Sequence, residues 1–373
     1  MAQKVLSIVS TLVRSGITSV VEGIVRGYDP ARYQATVATL SASPPDNALQ
    51  EFHSMGIQVE EMNLSRAASF LFGAERLREL VQALKIDLVH CHGFRADVLA
   101  SEGRLQVPMV ATIHSDNLTN YQSFYGRVLG KWMAWRDFAA FRVFDRVIAV
   151  SDTVAEAARP QGLQCEVIAN GVDLNVYHPP SGLSEKRLLR ERLRLPLERS
   201  VVLYSGRLTS VKRPIEVVRG FLGSSLSKNA VLLVAGEGQL RRHCEQAADG
   251  AKNVLFLGKR HDLPDLLRAS DVLLSNSVSE GLPVALLEGC ASGTRVIASD
   301  ISSHRHIRDL FAQQVFLYSG HEPRAVSAAL DAHGTTEMAH TLQPPRDSLE
   351  AISAARMSRE YQRVYGSLCA RNS

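Results

Sequence analysis

Short apolar runs alternate with helix-spaced patterns along the whole chain, as buried parallel strands and their crossover helices do. In the first half the runs predict strands over residues 5–9, 33–39, 58–61, 88–91, 109–113, 146–150 and 166–168. A helix is predicted over residues 74–84, where Leu77, Leu80, Val81 and Leu84 recur at helical spacing. Asn170-Gly171-Val172-Asp173 is a turn signal, and Pro179-Pro180-Ser181-Gly182 follows it, so residues 171–182 read as a linker. The alternation then restarts, with strands predicted at 201–205, 230–235, 254–257, 272–275, 295–298 and 314–317. The polar stretch 334–346 reads as a loop, and a last helix is predicted from 348 to 368. The fold class is therefore α/β. Two doubly wound, Rossmann-like domains, residues 1–170 and 183–346, are expected to face each other across a cleft at the C-terminal ends of their strands. Residues 347–373 form a C-terminal helical segment in this reading.

The chain's 373 residues suffice for two domains, and 45% hydrophobic with 21% charged residues is a soluble globular composition. The net charge of +4 suits anionic substrates or a membrane surface and demands neither. Five cysteines (91, 165, 244, 290, 369) are odd in number and lack metal-type spacing, which reads as free thiols in a reducing, cytoplasmic compartment. Lys4-Val5-Leu6-Ser7-Ile8-Val9 resembles the apolar core of a signal peptide. Arg14 interrupts it and no small-x-small site follows, so a first buried strand is expected. No apolar run approaches the ~20 residues of a membrane span.

Candidate chemistry concentrates in Ser279-Glu280-Gly281-Leu282-Pro283-Val284-Ala285-Leu286-Leu287-Glu288. Pro283 suits a first helical turn, which leaves Glu280 in the preceding loop and Glu288 about two turns inside. Such a helix start favours an anion. One carboxylate can then hold sugar hydroxyls and the other ribose hydroxyls, beside a diphosphate. The plain alternative is an exposed loop acid and a solvated helix acid. Further upstream, the strand at 201–205 runs into Gly206-Arg207-Leu208-Thr209-Ser210-Val211-Lys212, and Arg213-Pro214 opens a helix. Arg207 and Lys212 flanking one loop make a diphosphate clamp that stabilises a leaving group; otherwise they are two exposed basic residues.

Gly16, ahead of the first helix, either lets backbone approach a phosphate or is an ordinary loop glycine. His114, at the end of the strand at 109–113, can hydrogen-bond a sugar hydroxyl or carry a proton, or it simply caps a loop. His90-Cys91-His92 looks like a metal cluster. Strand alternation puts the two histidines on one face, however, and no third ligand is evident. Gly236-Glu237-Gly238 imitates a dinucleotide fingerprint, but Arg241 replaces its third glycine, so a nicotinamide cofactor is rejected. The sequence contains no Asp-x-Asp, in keeping with a cation clamp in place of a metal.

Residues 125–146 carry Trp132 and Trp135, with Phe138, Phe141 and Phe144 interleaved with Arg127, Lys131, Arg136 and Arg142. This is either an interfacial helix on an anionic membrane or, for most of these aromatics, a core helix with a solvated basic face.

Taken together, these residues resemble glycosyltransferase family 4, the retaining, nucleotide-sugar-dependent transferases of GT-B fold. The likeness covers nearly the whole chain. It is strongest at Gly206-Arg207-Leu208 with Lys212, at Gly236-Glu237-Gly238, at Glu280 to Glu288 with Ala291-Ser292-Gly293, and at Ile168-Ala169-Asn170-Gly171-Val172-Asp173. The resemblance implies that Arg207 and Lys212 grip the donor diphosphate and Glu288 the ribose. Glu280 and the backbone of Gly281, Leu282 and Pro283 would hold the transferred sugar, with His114 over it and Gly16 near the donor. It also implies a C-terminal helix that crosses back to the first domain, no cofactor or metal, and a UDP-sugar rather than a GDP-sugar as co-substrate. The expected reaction moves a hexose or N-acetylhexosamine to a saccharide or lipid-linked acceptor in cell-surface polysaccharide or glycolipid synthesis. The enzyme would be cytoplasmic, peripheral at the inner membrane face, and without a nucleic-acid partner. An epimerase or hydrolase on the same fold, or an inactive sugar-binding relative, are the alternatives. The chain departs from the family pattern at Ser15-Gly16, at Arg295 and at Ser302-Ser303-His304-Arg305-His306.

Overall fold

The computed structural model describes residues 2–334 and 342–370, so most of the expected loop at 334–346 lies outside the described residues. Two units divide the chain: Met1–Gly171 with Ile352–Ser373, and Val172–Ala351.

The first unit holds strands β1 (Gln3–Val9), β2 (Tyr33–Thr39), β3 (Gln58–Glu61), β4 (Leu88–His92), β5 (Met109–Ile113), β6 (Arg146–Ala149) and β7 (Glu166–Val167). They form one parallel sheet in the order β3-β2-β1-β4-β5-β6-β7. The crossovers are α1 (Gly16–Arg26), α2 (Leu49–Ser54), α3 (Arg66–Leu84), α4 (Phe94–Gly103), α5 (Asn117–Phe141) and α6 (Asp152–Ala158). Central strands covered on both faces favour apolar side chains at most positions, which is why they read as nearly unbroken runs. Leu6, Ile8, Val89, Val110 and Ile148 are fully buried, each contributing roughly 1.5–3 kcal/mol. The run beginning at Lys4 is thus the core of β1.

Helix α3 starts at Arg66, well before the expected 74, with Ser65 as its cap accepting from the Ala68 N–H at 3.1 Å. Its first turns carry Phe70, Leu71 and Phe72, three exposed apolar residues in succession that follow no helical stripe. Helix α5 is kinked at Gly126, which has φ 81°. The aromatics of this region divide. Phe138, Phe141 and Phe144 enter the core, whereas Trp132 and Trp135 stand exposed, so the core-helix reading holds only for the C-terminal part.

In the second unit the helices are α7 (Leu183–Leu193), α8 (Pro214–Gly223), α9 (Arg241–Ala248), α10 (Leu263–Ala269), α11 (Val284–Ala291), α12 (Ser302–Leu310), α13 (Pro323–His333) and α14 (Arg346–Ala351). Strands β8 (Ser200–Ser205), β9 (Ala230–Ala235), β10 (Val254–Gly258), β11 (Val272–Ser275), β12 (Arg295–Ser299) and β13 (Val315–Tyr318) form a second parallel sheet in the order β10-β9-β8-β11-β12-β13. Its strand order reverses between β8 and β11, the place where such sheets open toward ligands.

The single terminal helix expected at 348–368 is two helices. A break at Ile352 and Ser353 separates α14 from α15 (Ala354–Cys369), and Ser353 caps α15 by accepting from the Arg356 N–H at 3.1 Å. Helix α15 belongs to the first unit and lies on α1, where Ser358 Oγ donates to the Ile24 carbonyl at 2.6 Å. Its Tyr365 and Tyr361 reach His90 and Thr112 on β4 and β5.

Candidate active site

In the second unit the site grows from the two strand ends at the switch point. After β8, the chain passes Gly206, Arg207 and Leu208 into a 3₁₀ turn over Ser210–Lys212, and Pro214 then opens α8. After β11 it passes Asn276, Ser277 and Glu280 before α11. The two loops are stitched together where the Val278 N–H donates to the Val211 carbonyl at 2.9 Å. That contact brings Lys212 against Glu280, residues 68 apart in sequence, and the two form an ion pair. Ser277 Oγ donates to the same carboxylate oxygen at 2.7 Å. Burial pushes the Glu280 carboxyl up, but Lys212, His304 and these hydrogen bonds outweigh it and hold the group below its ordinary value.

Arg207 is exposed on the same loop, and its carbonyl accepts from Tyr204 Oη at 3.2 Å. Gly236 and Gly238, the dinucleotide look-alike, have a local packing task. A Cβ on Gly236 would fall 2.0 Å from the Gly206 carbonyl oxygen, and one on Gly238 2.4 Å from that of Leu208. The glycines let the loop after β9 press against the loop that carries Arg207.

Gly281, Leu282 and Pro283 are buried and lead into α11, which no side chain caps. The helix begins at Val284, so Glu288 sits about one turn inside it, not two. The helical rise from Val284 to Glu288 is about 6 Å. Glu288 is also not the solvated acid of the plain reading: it is buried, and burial raises its carboxyl to about 7, tempered by a hydrogen bond with Tyr177.

One residue that sequence reading passed over joins this cluster. His304, in the first turn of α12, is wholly buried and feels the charges of Glu280 and Lys212. The segment drew notice only as a departure from a family pattern, so no signal marked the side chain itself. Burial lowers this imidazole to about 4.

The first unit presents a different constellation at its strand ends. His92, the last residue of β4, meets His114, which follows β5, with His92 Nδ1 3.0 Å from His114 Nε2. Burial lowers His114 to about 4 and His92 well below its ordinary value. His90 contacts Tyr365 Oη and Thr112 Oγ1 through its two ring nitrogens, both at 2.8 Å, which makes it a framework residue. The same unit buries two acids that the sequence did not advertise. Asp137 on α5 is fully buried and accepts from Asn117 Nδ2 and Tyr121 Oη, both at 2.6 Å. Burial lifts it to about 7. Asp97 on α4 is raised well above its usual range by burial and by the neighbouring Asp137. Gly16 is the exposed first residue of α1, whose cap Ser15 accepts from the Thr18 N–H.

Residues 14–176 match Glycosyltransferase Family 4, and residues 185–333 match Glycosyl transferases group 1. The UDP-Gal:alpha-D-GlcNAc-diphosphoundecaprenol alpha-1,3-galactosyltransferase of Escherichia coli is 26% identical over 241 residues, 61% of either chain. The D-inositol 3-phosphate glycosyltransferase of Streptosporangium roseum is 30% identical over 289 residues, 68% of this chain and 63% of that protein. The alignments thus span less than two thirds of both relatives. Among solved structures, Anabaena HepE in complex with UDP-glucose superposes with a TM-score of 0.82 at 18% identity, covering 98% of this chain and 100% of that one. With its two parallel sheets, this likeness gives the chain the GT-B fold.

Proposed function

Because this chain belongs to glycosyltransferase family 4, we propose that it moves a hexose or N-acetylhexosamine from a nucleoside-diphosphate sugar to a saccharide or lipid-linked acceptor. Transfer proceeds with retention at the anomeric carbon and without a divalent metal. The observation that carries this reading is the Lys212–Glu280 pair at the β8/β11 switch point, beside exposed Arg207. A diphosphate entering there exchanges a carboxylate partner for its own oxygens and gains two cations, which stabilise charge as the leaving group departs. Glu280, released from the lysine, is placed to accept from sugar hydroxyls, and buried Glu288 to accept from the ribose. Neutral His114, on the first unit, suits an uncharged hydroxyl.

A UDP-sugar is favoured, since the Escherichia coli relative is described with UDP-Gal and HepE was solved with UDP-glucose. The exposed Phe70, Leu71, Phe72, Val128, Trp132 and Trp135 of the first unit support a lipid-linked acceptor at the cytoplasmic membrane face. No helix of the described residues is long and apolar enough to cross a membrane.

A thermal-shift screen of uridine and guanosine diphosphate sugars identifies the donor. Incubation of that donor with polyprenol-linked saccharides in excess EDTA then tests transfer. Stabilisation by the uridine series and an α-linked product from an α-linked donor are expected. Activity that EDTA abolishes and magnesium restores, or an inverted anomer by NMR, overturns the corresponding part. Free sugar or an epimer as the only product points to the hydrolase or epimerase alternative.

A further inference from the structure

The start of α12 carries two buried polar atoms without a partner among the described residues, Ser303 Oγ and His304 Nε2. His304 Nδ1 lies 2.7 Å from the Ser299 carbonyl oxygen. A carbonyl only accepts, so the ring proton is on Nδ1, and Nε2 keeps an open lone pair in a desolvated position. Charged and titratable groups surround it from four elements: Lys212 from the turn after β8, Glu280 from the loop after β11, Asp300 after β12 and His321 after β13. Asp300 is drawn off by Arg305, which binds it through two nitrogens. His321 Nδ1 lies 3.3 Å from Asn276 Oδ1. Ser299 links the ring back to the carboxylate: its Oγ donates to the Ser277 carbonyl at 2.6 Å, and Ser277 Oγ donates to Glu280.

Without ligand, Arg207 and Lys212 supply two positive charges against the one negative charge of Glu280. A bound diphosphate brings two more negative charges, and the balance of this half-buried cluster turns net negative. Glu288, raised to about 7 by burial, titrates in the same site and is common to wild type and the variants below; of the groups that bear on Glu280, His304 keeps an open nitrogen that can take up a further proton. We propose that His304 is the positioning partner of Glu280, neutral while Lys212 pairs with that carboxylate and protonated at Nε2 once a diphosphate draws the lysine away. The proton comes from solvent, and no bond other than N–H forms. Imidazolium then holds Glu280 ionised and aimed at the sugar after its lysine has left. This inference rests on the donor site proposed above.

Calorimetric titration of the full chain with UDP at pH 7, in phosphate and in Tris, tests it. The difference in observed enthalpy between the buffers counts the protons taken up. The H304N variant keeps a donor toward Ser299 but lacks Nε2, and ionisation of UDP itself is common to both proteins. Wild type is expected to take up roughly half a proton or more beyond H304N. E280Q, which gives the imidazole no charge to balance, should match H304N, and it serves as the comparison if H304N does not fold. Equal proton counts in wild type and variant, with UDP bound by both, overturn the role of His304 and leave the donor site standing. No binding of UDP or GDP by wild type refutes the donor site itself.

Discussion

The strand ends of the two sheets are built from the same pattern and carry opposite electrostatics. At the β8/β11 switch, Lys212 and Glu280 form an ion pair, with Arg207 exposed on the same loop. At the ends of β4 and β5, His90, His92 and His114 are all held neutral by burial, and the buried acids of the same unit, Asp97 and Asp137, are pushed toward their protonated forms. Burial without a countercharge removes charge, while burial with one preserves it. The second unit thus keeps an ion pair, which suits the anionic donor proposed above. The first unit offers neutral hydrogen-bonding groups, which suits the hydroxyl contact proposed for His114.

The largest break in this contrast should come from the charged side. Removing one preorganised cation costs about 2.7–4 kcal/mol in the barrier, or 10²–10³ in turnover. K212A and R207A should both fall in this range, with the melting temperature of R207A nearly unchanged and that of K212A lowered. K212A should be the worse of the two, since it also strands Glu280 in a half-buried position. Turnover near wild type in either folded variant would contradict the clamp.

The two carboxylates sharpen the same point. Hydrogen bonds to charged groups contribute about 1.5–3 kcal/mol, so E288Q should weaken UDP binding roughly tenfold or more. E280Q should leave UDP affinity unchanged or tighter, because it releases Lys212, and should lower turnover of the sugar donor. Equal losses of UDP affinity in calorimetry would dissolve the division of roles.

What sequence made legible follows from these physical differences. The central strands could be read because double-sided burial demands apolar runs, and the loops bearing Arg207, Lys212 and Glu280 and the helix bearing Glu288 follow from their ends. The Lys212–Glu280 pair could not be read, since the Val278–Val211 contact that creates it is tertiary. Asp97 and Asp137 look like ordinary surface acids on amphipathic helices, and only the fold puts them inside. The first turns of helix α3 are not legible, because Phe70, Leu71 and Phe72 break the helical periodicity as exposed apolar residues. The break between α14 and α15 carries no sequence signal, because Ile352 and Ser353 are neither glycine nor proline.

The neutral side yields a smaller effect, on stability. The ordinary carboxyl value is 3.8 and that of Asp137 about 7. Between the two, folded protein keeps a proton that unfolded protein has lost. The stability this group contributes is therefore full below about 4 and drains as pH rises to 7. D137N keeps an acceptor for Asn117 and Tyr121 and does not titrate. Its melting temperature should gain on wild type steadily from pH 4 to pH 7 and run parallel above. Parallel curves over the whole range would mean that Asp137 is ionised in the folded chain.

The smallest effect concerns the surface of the first unit, where apolar and basic residues mix. Val128 is 87% exposed and Trp135 64%, and Phe70 on α3 is 73% exposed, more than scattered apolar residues on a helical face explain. The basic residues of this stretch do not act as one group. Arg136 is engaged by Glu102, and Arg142 donates to the Gln161 carbonyl at 3.3 Å. Arg127 and Lys131 on exposed turns of α5 are left as the better candidates for anionic headgroups. Each contributes about 1 kcal/mol near an anionic leaflet, and salt screens it. Sedimentation with anionic liposomes at low salt should therefore fall several-fold in the double variant R127Q/K131Q. W132A/W135A should reduce binding to anionic and neutral liposomes alike, because its loss is of apolar contact. A wild-type protein that ignores both lipids would make this face an ordinary solvated surface and favour a soluble saccharide acceptor.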